Sequence, residues 1–494
     1  MKENKPVKVL LVYPSHPETF WSFKHILKYI SKKAAFPPLG LLTVAAMLPA
    51  SWEKKVVDMN VSHLSDADIL WADYVFISAM IVMKDSVRKV IERVKALGKK
   101  VVAGGPLFTA DFESYPDVDH LVLGEAEITL PLFLRDLEAG EPSHLYRSDE
   151  HPQISGTPVP LWELIRMKDY ATMSVQYSRG CPFNCEFCDI TIMNGRIPRT
   201  KGPLQLLTEL DALYRRGWRG SVFIVDDNFI GKKEEVKAML PQIIDWMKKR
   251  NHPFTFITEA SINLADDPVL MRLMVEAGFK SVFIGIETPS EEGLVECRKY
   301  QNEGRDMVAS VKTIQRQGLE VFGGFIVGFD SDPPSIFERQ ISFIQKSGVV
   351  VAMVGILTAL PGTLLYNRLK KEDRLLTASS GNNTECTVNF RPAMDVSTLL
   401  DGYRKIISTI YSPREYYERV ITFLKEYHPE FKVKLQWSEV KALLRSFWYI
   451  GITGHARKYY WKLLAWALIC RPRLFPVAVT LAIFGRHFNQ LIKT

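Results

Sequence analysis

At 494 residues the chain has room for two or three domains. A composition of 47% hydrophobic and 24% charged residues excludes a disordered or fibrous chain, and single cysteines at Cys297, Cys386 and Cys470 exclude a disulfide framework and suit a reducing, cytoplasmic compartment. The net charge of +8 belongs to the tail: from Lys441 onward there are nine Lys and Arg and no Asp or Glu, so the charge balance says little of the body.

Met1-Lys2-Glu3-Asn4-Lys5 leads into one short apolar strand, with no signal-peptide pattern. Strands are expected at 7–12, 55–58, 74–78, 100–103 and 120–123, with helices at 38–48 and 85–97. That alternation predicts an α/β fold over 1–138, a doubly wound, Rossmann-like parallel sheet. A ligand of such a sheet sits beyond the carboxyl ends of the strands. Those ends carry Ser78, Gly104, Gly105, Gly124 and Glu125, and glycine there lets a flat ligand approach the backbone closely. The aperiodic stretch 139–165 reads as a linker.

After a strand at 173–177 comes Cys181-Pro182-Phe183-Asn184-Cys185-Glu186-Phe187-Cys188. Thiolates are the ligands of iron–sulfur clusters. A cubane cluster has four iron corners, so three cysteines leave one iron open to a substrate or cofactor. A structural zinc would want a fourth Cys or His nearby, and none follows within twenty residues. Further strands at 221–225, 254–258, 281–286, 320–327 and 351–357 alternate with helices, making six β/α units and a partial (β/α)6 TIM-type barrel over 166–380. Catalytic groups of such barrels come from the C-terminal strand ends. There stand Asp226, Asp227, Asn228, Glu259, Glu287 and Asp330. Helix N-capping explains Asn228 and Asp330 as well as function does. Glu is a poor N-cap, which makes Glu259 and Glu287 the better functional candidates.

The cysteine spacing, with an aromatic residue before the last cysteine, resembles the radical S-adenosylmethionine (SAM) superfamily. The segments VDDNFIG (225–231), TEASINLA (258–265), GIETP (285–289), ALPGTLLY (359–366) and FPPLGLLTVAAMLP (36–49) narrow the resemblance. With GGP after the fourth strand and GEAE after the fifth, they resemble, over nearly the whole chain, the cobalamin-binding branch that includes the hopanoid C-2 methylase. The resemblance implies a 4Fe–4S cluster on Cys181, Cys185 and Cys188 whose open iron takes SAM. It implies a SAM pocket at Phe187, Asp226, Asp227, Glu259, Glu287 and Gly324, the last in a glycine-rich segment that meets adenine by its backbone. It implies cobalamin held by the loops at Ser78, Gly104, Gly105, Gly124 and Glu125. The Asp-x-His-x-x-Gly motif of other cobalamin proteins is absent: Met59-Asn60-Val61-Ser62 follow Asp58, and His63 reads as a solvent-facing loop residue. The activity implied is methyl transfer to an unactivated carbon of a hopanoid- or isoprenoid-like lipid or small molecule, with electrons from a flavodoxin- or ferredoxin-type donor. Radical C–C coupling or cyclisation of lipid chains without cobalamin is the alternative, and a SAM-binding or cluster-sensing regulator a third reading.

From 381 the alternation stops and a helical domain follows, with helices expected at 399–411, 414–427, 437–448, 455–470 and 476–491. Its longest apolar runs fall short of the ~20 residues that cross a bilayer. Arg457, Lys458, Lys462, Arg471, Arg473 and Arg486 interleaved with apolar faces, and Trp448, Tyr449, Trp461 and Trp466, suit peripheral contact with the inner face of the membrane. A helical bundle packed on the barrel with a basic outer face fits equally. No nucleic-acid recognition motif accompanies the charge.

Overall fold

The computed structural model describes residues 5–382, 385–429 and 437–491. The first sheet is parallel, with β1 (Lys8–Tyr13), β2 (Glu53–Asp58), β3 (Tyr74–Ser78), β4 (Lys100–Gly104), β5 (His120–Leu123) and β6 (Leu145–Arg147) in the order β2-β1-β3-β4-β5-β6. Val9, Leu10, Leu11 and Val12 of β1 are all buried, as a strand covered on both faces requires. Leu10, Val75 and Val101 pack under Val87, Val90 and Val94 of the helix Lys84–Ala96. On the other face Val9, Phe76 and Val102 pack under Leu41 and Phe133. The segment read as a linker does more than connect. Its Leu145–Arg147 extends the sheet as β6, and Ile154 and Trp162 are buried. Three residues are too few to show strand alternation in the sequence.

The second sheet begins with β7 (Met173–Val175). Two short antiparallel strands, β8 (Ser178–Arg179) and β9 (Arg199–Thr200), then bracket the cysteine loop. The sheet continues with β10 (Gly220–Ile224), β11 (Phe254–Ala260), β12 (Phe279–Glu287), β13 (Glu320–Val327) and β14 (Ala352–Ile356) in the order β14-β13-β12-β11-β10-β7. Every neighbouring pair in it is parallel, and five helices between Pro203 and Ser347 form the outer layer of the partial barrel. Asp267 and Asp306 cap two of these helices through the Leu270 and Ala309 N–H groups.

The C-terminal helices close the amino end of the barrel. Tyr411 Oη donates to Ala352 O at 2.7 Å, at the start of β14. The buried Arg419 donates to Ile410 O at 2.8 Å and Val350 O at 3.3 Å. The short helix Lys24–Ile30 packs among the same elements, and the Phe20 ring ahead of it stacks on Phe488 at 4.7 Å. The carboxyl end of the barrel is left to face the carboxyl end of the first sheet.

A buried ionic network joins those two faces. Glu125, after β5, accepts from Arg179 at 2.7 Å and from Arg199 at 2.6 and 3.0 Å. Glu127 takes Arg179 at 2.9 and 3.0 Å, and His151 Nδ1 stands 3.1 Å from Glu125 Oε1. The side chains of Arg199 and Glu125 are each 6% exposed. Removing one partner leaves buried charge uncompensated, at a cost of about 3–5 kcal/mol. Glu125→Ala is therefore expected to lower the unfolding free energy by that amount, read from the midpoint of a urea titration. Leu132→Ala, on the exposed side of the neighbouring helix, serves as the control and should shift it little.

Candidate functional site

The cysteine loop is fixed at both ends before any cofactor enters. At its entry Asp226 accepts from Tyr177 N at 2.8 Å and from Ser178 N and Oγ at 2.8 and 2.6 Å. Asp227 Oδ2 accepts from Gly180 N and Asn194 Nδ2, both at 3.0 Å. In its middle Glu186 is gripped by Arg368 at 2.8 and 3.1 Å, and Glu186 N donates to Cys297 O at 2.9 Å. Cys185 is buried, and Cys181 and Cys188 are partly so. Burial pushes all three thiols up, while the Lys299 charge works against it at each. Among the described residues no three His, Cys, Asp or Glu side chains converge as a single metal ion would require. A cubane spreads its three thiolates over separate irons.

The expected SAM residues divide. Phe187, Cys188, Asp227, Glu287 and Gly324 line one cavity of about 1200 Å³ at the carboxyl end of the barrel. Asp226 does not line it: it is 1% exposed and its oxygens are taken by the loop entry. Burial, with Asp227 beside it, pushes the Asp226 carboxyl up to about 7. Glu259 is not among the residues lining the cavity either. It makes no side-chain hydrogen bond among the described residues, and burial with the charges of Asp227 and Asp226 pushes its carboxyl up to about 8. Glu287 carries a left-handed φ of 65° at the irregular end of β12 and pairs with Lys299 at 2.7 Å. Backbone strain of this kind costs on the order of 1–3 kcal/mol and collects at functional sites. Asn228 bonds Ser261 and Asp330 pairs with Arg374 and Arg368, so neither caps a helix.

The same large cavity reaches the first sheet, where Tyr13, His16, Ser78 and Met80 form its opposite wall. Ser78, Gly104, Gly105, Gly124 and Glu125 line a second cavity of about 340 Å³ between the two halves. The glycines answer first to the chain itself. A Cβ on Gly104 would stand 2.6 Å from Val122 O, and one on Gly105 2.6 Å from Ser78 Oγ. Glu125 spends both oxygens on arginines. Asn60 donates to Asp58 at 2.8 Å and Pro14 O at 3.2 Å, and His63 is exposed. His16, on the loop after β1, is the histidine that lines the large cavity.

The B12 binding domain model matches residues 30–134, the Radical SAM superfamily model residues 175–344, and a domain of unknown function residues 363–494. An uncharacterised methyltransferase of Synechocystis sp. is 43% identical across 98% of this chain and 92% of its own. The hopanoid C-2 methylase of Rhodopseudomonas palustris is 33% identical across 92% of this chain and 88% of its own. The chain belongs to the cobalamin-binding radical SAM family. The solved structure of the cobalamin-dependent SAM radical enzyme OxsB with aqua-cobalamin shares the fold of the enzyme, with a TM-score of 0.64 at 15% identity over 99% of this chain and 84% of that one. The methyltransferase TsrM of Kitasatospora setae gives a TM-score of 0.60 at 14% identity over 97% and 99%. The enzyme is thus a cobalamin-dependent radical SAM methyltransferase, and its cofactors are a 4Fe–4S cluster, SAM and cobalamin. The cobalamin-free coupling alternative falls with the B12 domain match.

The residues present fit these groups. Three thiols share one loop that is pinned on several sides, and the cavity beside Cys188 runs without interruption to the strand ends of the first sheet. Lys299 and Arg179 escaped the sequence reading. Neither lies at a barrel strand end, and an isolated Lys or Arg carries no periodic signal. Glu259 sets a pH dependence. The folded protein holds its proton to about pH 8, whereas the ordinary value is 4.5. Stability contributed by this group is therefore lost as pH rises from about 4.5 towards 8. Glu259→Gln should flatten that decline in urea titrations of the cofactor-free protein across the window. An unchanged slope would mean that the carboxyl is already ionised in the fold.

Proposed function

We propose that the enzyme methylates an unactivated carbon of an apolar lipid, of polycyclic or isoprenoid type, within the large cavity. The observation that carries this is the cavity itself. It lies between the two strand-end faces, and Phe36, Phe223, Phe283, Phe325, Met353 and Ile356 line it together with polar groups such as His16, Asp227 and Glu287. The hopanoid C-2 methylase relative supports the substrate class. Such a carbon offers no acidic proton to general acid–base catalysis. When bound, the cluster supplies the electron that cleaves SAM, and cobalamin supplies the methyl group.

In this reading Cys181, Cys185 and Cys188 hold the cluster. Glu287 and Asp227 take the polar groups of SAM, with Phe187 and Gly324 beside them by backbone. Glu259, neutral at pH 7, offers a donor towards the barrel interior. Asp226 positions the cysteine loop. Ser78, Gly104, Gly105 and Gly124 surround part of the cobalamin, and Glu125 locks that wall to the barrel. The chain divides into a cobalamin domain (1–138), a connecting segment (139–165), the barrel (166–380) and a helical domain (381–494). A flavodoxin- or ferredoxin-type protein delivers the electrons. Anaerobically reconstituted enzyme, given methyl-labelled SAM and a lipid extract, should transfer label to an apolar product. Glu287→Ala should lower SAM cleavage at least tenfold, and replacing the three cysteines by Ala should abolish it. Label found only in polar small molecules would end the lipid assignment.

The substrate is drawn from an anionic membrane face met by the C-terminal helices. No helix among the described residues is long and apolar enough to cross a membrane. Arg445, Arg471 and Arg486 turn inward onto backbone carbonyls, so the nine basic residues do not act alike. Lys493 lies outside the described residues. Arg457, Lys458, Lys462 and Arg473 remain exposed, beside Trp448, Ile452, Trp461, Leu468 and Ile469, which are 48–82% exposed. Each basic side chain near an anionic leaflet contributes on the order of 1 kcal/mol. The protein should sediment with anionic liposomes at low salt and less so at high salt. The double variant Lys458→Glu/Lys462→Glu should release it. Equal sedimentation of the variant, or none by the native chain, would sink the membrane assignment.

A further inference from the structure

Glu186 stands one residue from Cys185 and two from Cys188, at most about 7 Å along extended chain. Phe187 and Cys188 line the large cavity, but Glu186 does not. Two other segments hold it. Its N–H donates to Cys297 O and its carbonyl accepts from Leu365 N, both at 2.9 Å. Arg368, on a side chain 30% exposed, grips its carboxylate and reaches Glu296 at 3.6 Å. The helices Glu291–Glu296 and Leu364–Lys371 are thereby joined at the middle of the cysteine loop. The surface around this junction is partly apolar. Ile192, Val295, Tyr300 and Leu364 are 39–61% exposed. Ile192 belongs to it because its Cδ1 would stand 3.5 Å from a Cβ on Gly362. Arg298, Lys370 and Lys371 are exposed there, and the exposed Arg391 is tied in through Arg374, which donates to Arg391 O at 2.8 Å. None of these four cations makes an ion pair among the described residues. The carboxylates of Glu186, Glu296, Asp330 and Glu372 are taken by Arg368 or Arg374, and Glu292 has the Arg339 charge beside it. That leaves Glu291 and Asp373 as exposed acids against the four cations.

We propose that this surface is where an acidic electron-carrier protein of flavodoxin or ferredoxin type docks to reduce the cluster. The proposal rests on the reading that Cys181, Cys185 and Cys188 hold the cluster. Exposed apolar side chains flanked by cations suit such a partner. The charges steer the encounter, and the apolar groups give contact for a short-lived complex. None of these surface residues lines the large cavity, so a docked carrier displaces nothing held there. One electron passes from the reduced carrier to the oxidised cluster. The carrier is oxidised by one electron, and no bond forms or breaks.

The test is the rate of cluster reduction in the full chain after anaerobic reconstitution, read by electron paramagnetic resonance of rapidly frozen samples, with iron measured in parallel. The reductant is photoreduced flavodoxin or, separately, dithionite. Native enzyme is compared with Arg298→Glu/Lys371→Glu and with Val295→Asp. The control is Lys248→Glu/Lys249→Glu, the same charge change at the exposed end of the helix Lys233–Lys249. At low salt the flavodoxin rate should fall about tenfold or more in both surface variants and stay near native in the control. Raising the salt should bring the native rate down towards that of the charge variant. Dithionite, a small molecule, should reduce all four proteins at about one rate. A flavodoxin rate unchanged in both surface variants would overturn the proposal, and so would a fall that dithionite shares. Should one surface variant take up no iron, the other decides alone. Native protein that takes up no iron at Cys181, Cys185 and Cys188 would instead remove the cluster assignment beneath it.

Discussion

The carboxylate of Glu125 lies between two arginines that belong to the other half of the chain. Neither half can desolvate its own charges alone without a cost of several kcal/mol per ion. The network is stable only when the two sheets stand in one relation to each other. Arg179 is two residues ahead of Cys181, so the same network that joins the halves also fixes where the cysteine loop begins. Ion pairing thus helps to fix the wall assigned to cobalamin relative to the cysteines, and Tyr170 Oη, donating to Asp58 at 2.9 Å, ties the halves a second time. The two faces of the first sheet have separate cores, and the barrel core takes in Phe20, Ala34 and Leu42 from the first half.

The acidic residues at the barrel's carboxyl end show how environment separates like side chains. Asp226 is an anchor, with three donors on its carboxylate. Asp227 gives one oxygen to the loop and keeps contact with the cavity. Glu259 has burial and two acidic neighbours, and so keeps its proton. Glu287 is charge-compensated by Lys299. Asp330 belongs to a latch: Arg374 and Arg368 hold its carboxyl down at about 2, and Arg368 also grips Glu186 inside the cysteine loop. Sequence position places all of these at strand ends, but only the partners distinguish anchor, donor and latch.

That difference marks what could be read from the sequence. The parallel sheets, the six β/α units and the cysteine loop were legible because they rest on local signals: apolar runs, turn residues and ligand spacing. Strand β6 was not, because three residues hold no period. Gly104 and Gly105 do line a cavity, but their neighbours Val122 and Ser78 already exclude a side chain there. Asp226 read as a cavity residue because it stands at a barrel strand end, but its carboxylate is taken by the Tyr177 and Ser178 N–H groups and the Ser178 hydroxyl. Arg179 and Arg199 act through partners up to 74 residues away, beyond any window of sequence pattern, and nothing periodic links Lys299 to Glu287.

The C-terminal helices connect two features that the sequence presents as unrelated. They bury Leu463, Leu464 and Ala467 inward, which satisfies the bundle reading, and leave Trp461, Leu468 and Ile469 outward. The segment ahead of the helix Lys24–Ile30 packs into this domain through the Phe20 ring on Phe488. Phe20 and Thr19 are also part of the wall of the large cavity. Arg445 reinforces the contact by donating to Tyr29 O at 2.7 Å. A displacement of the helical domain would therefore be felt first at residues 19–31, of which Thr19, Phe20 and Ser22 line the cavity. The wall of the cavity at Thr19, Phe20 and Ser22 is in that way coupled to the packing of the C-terminal helices.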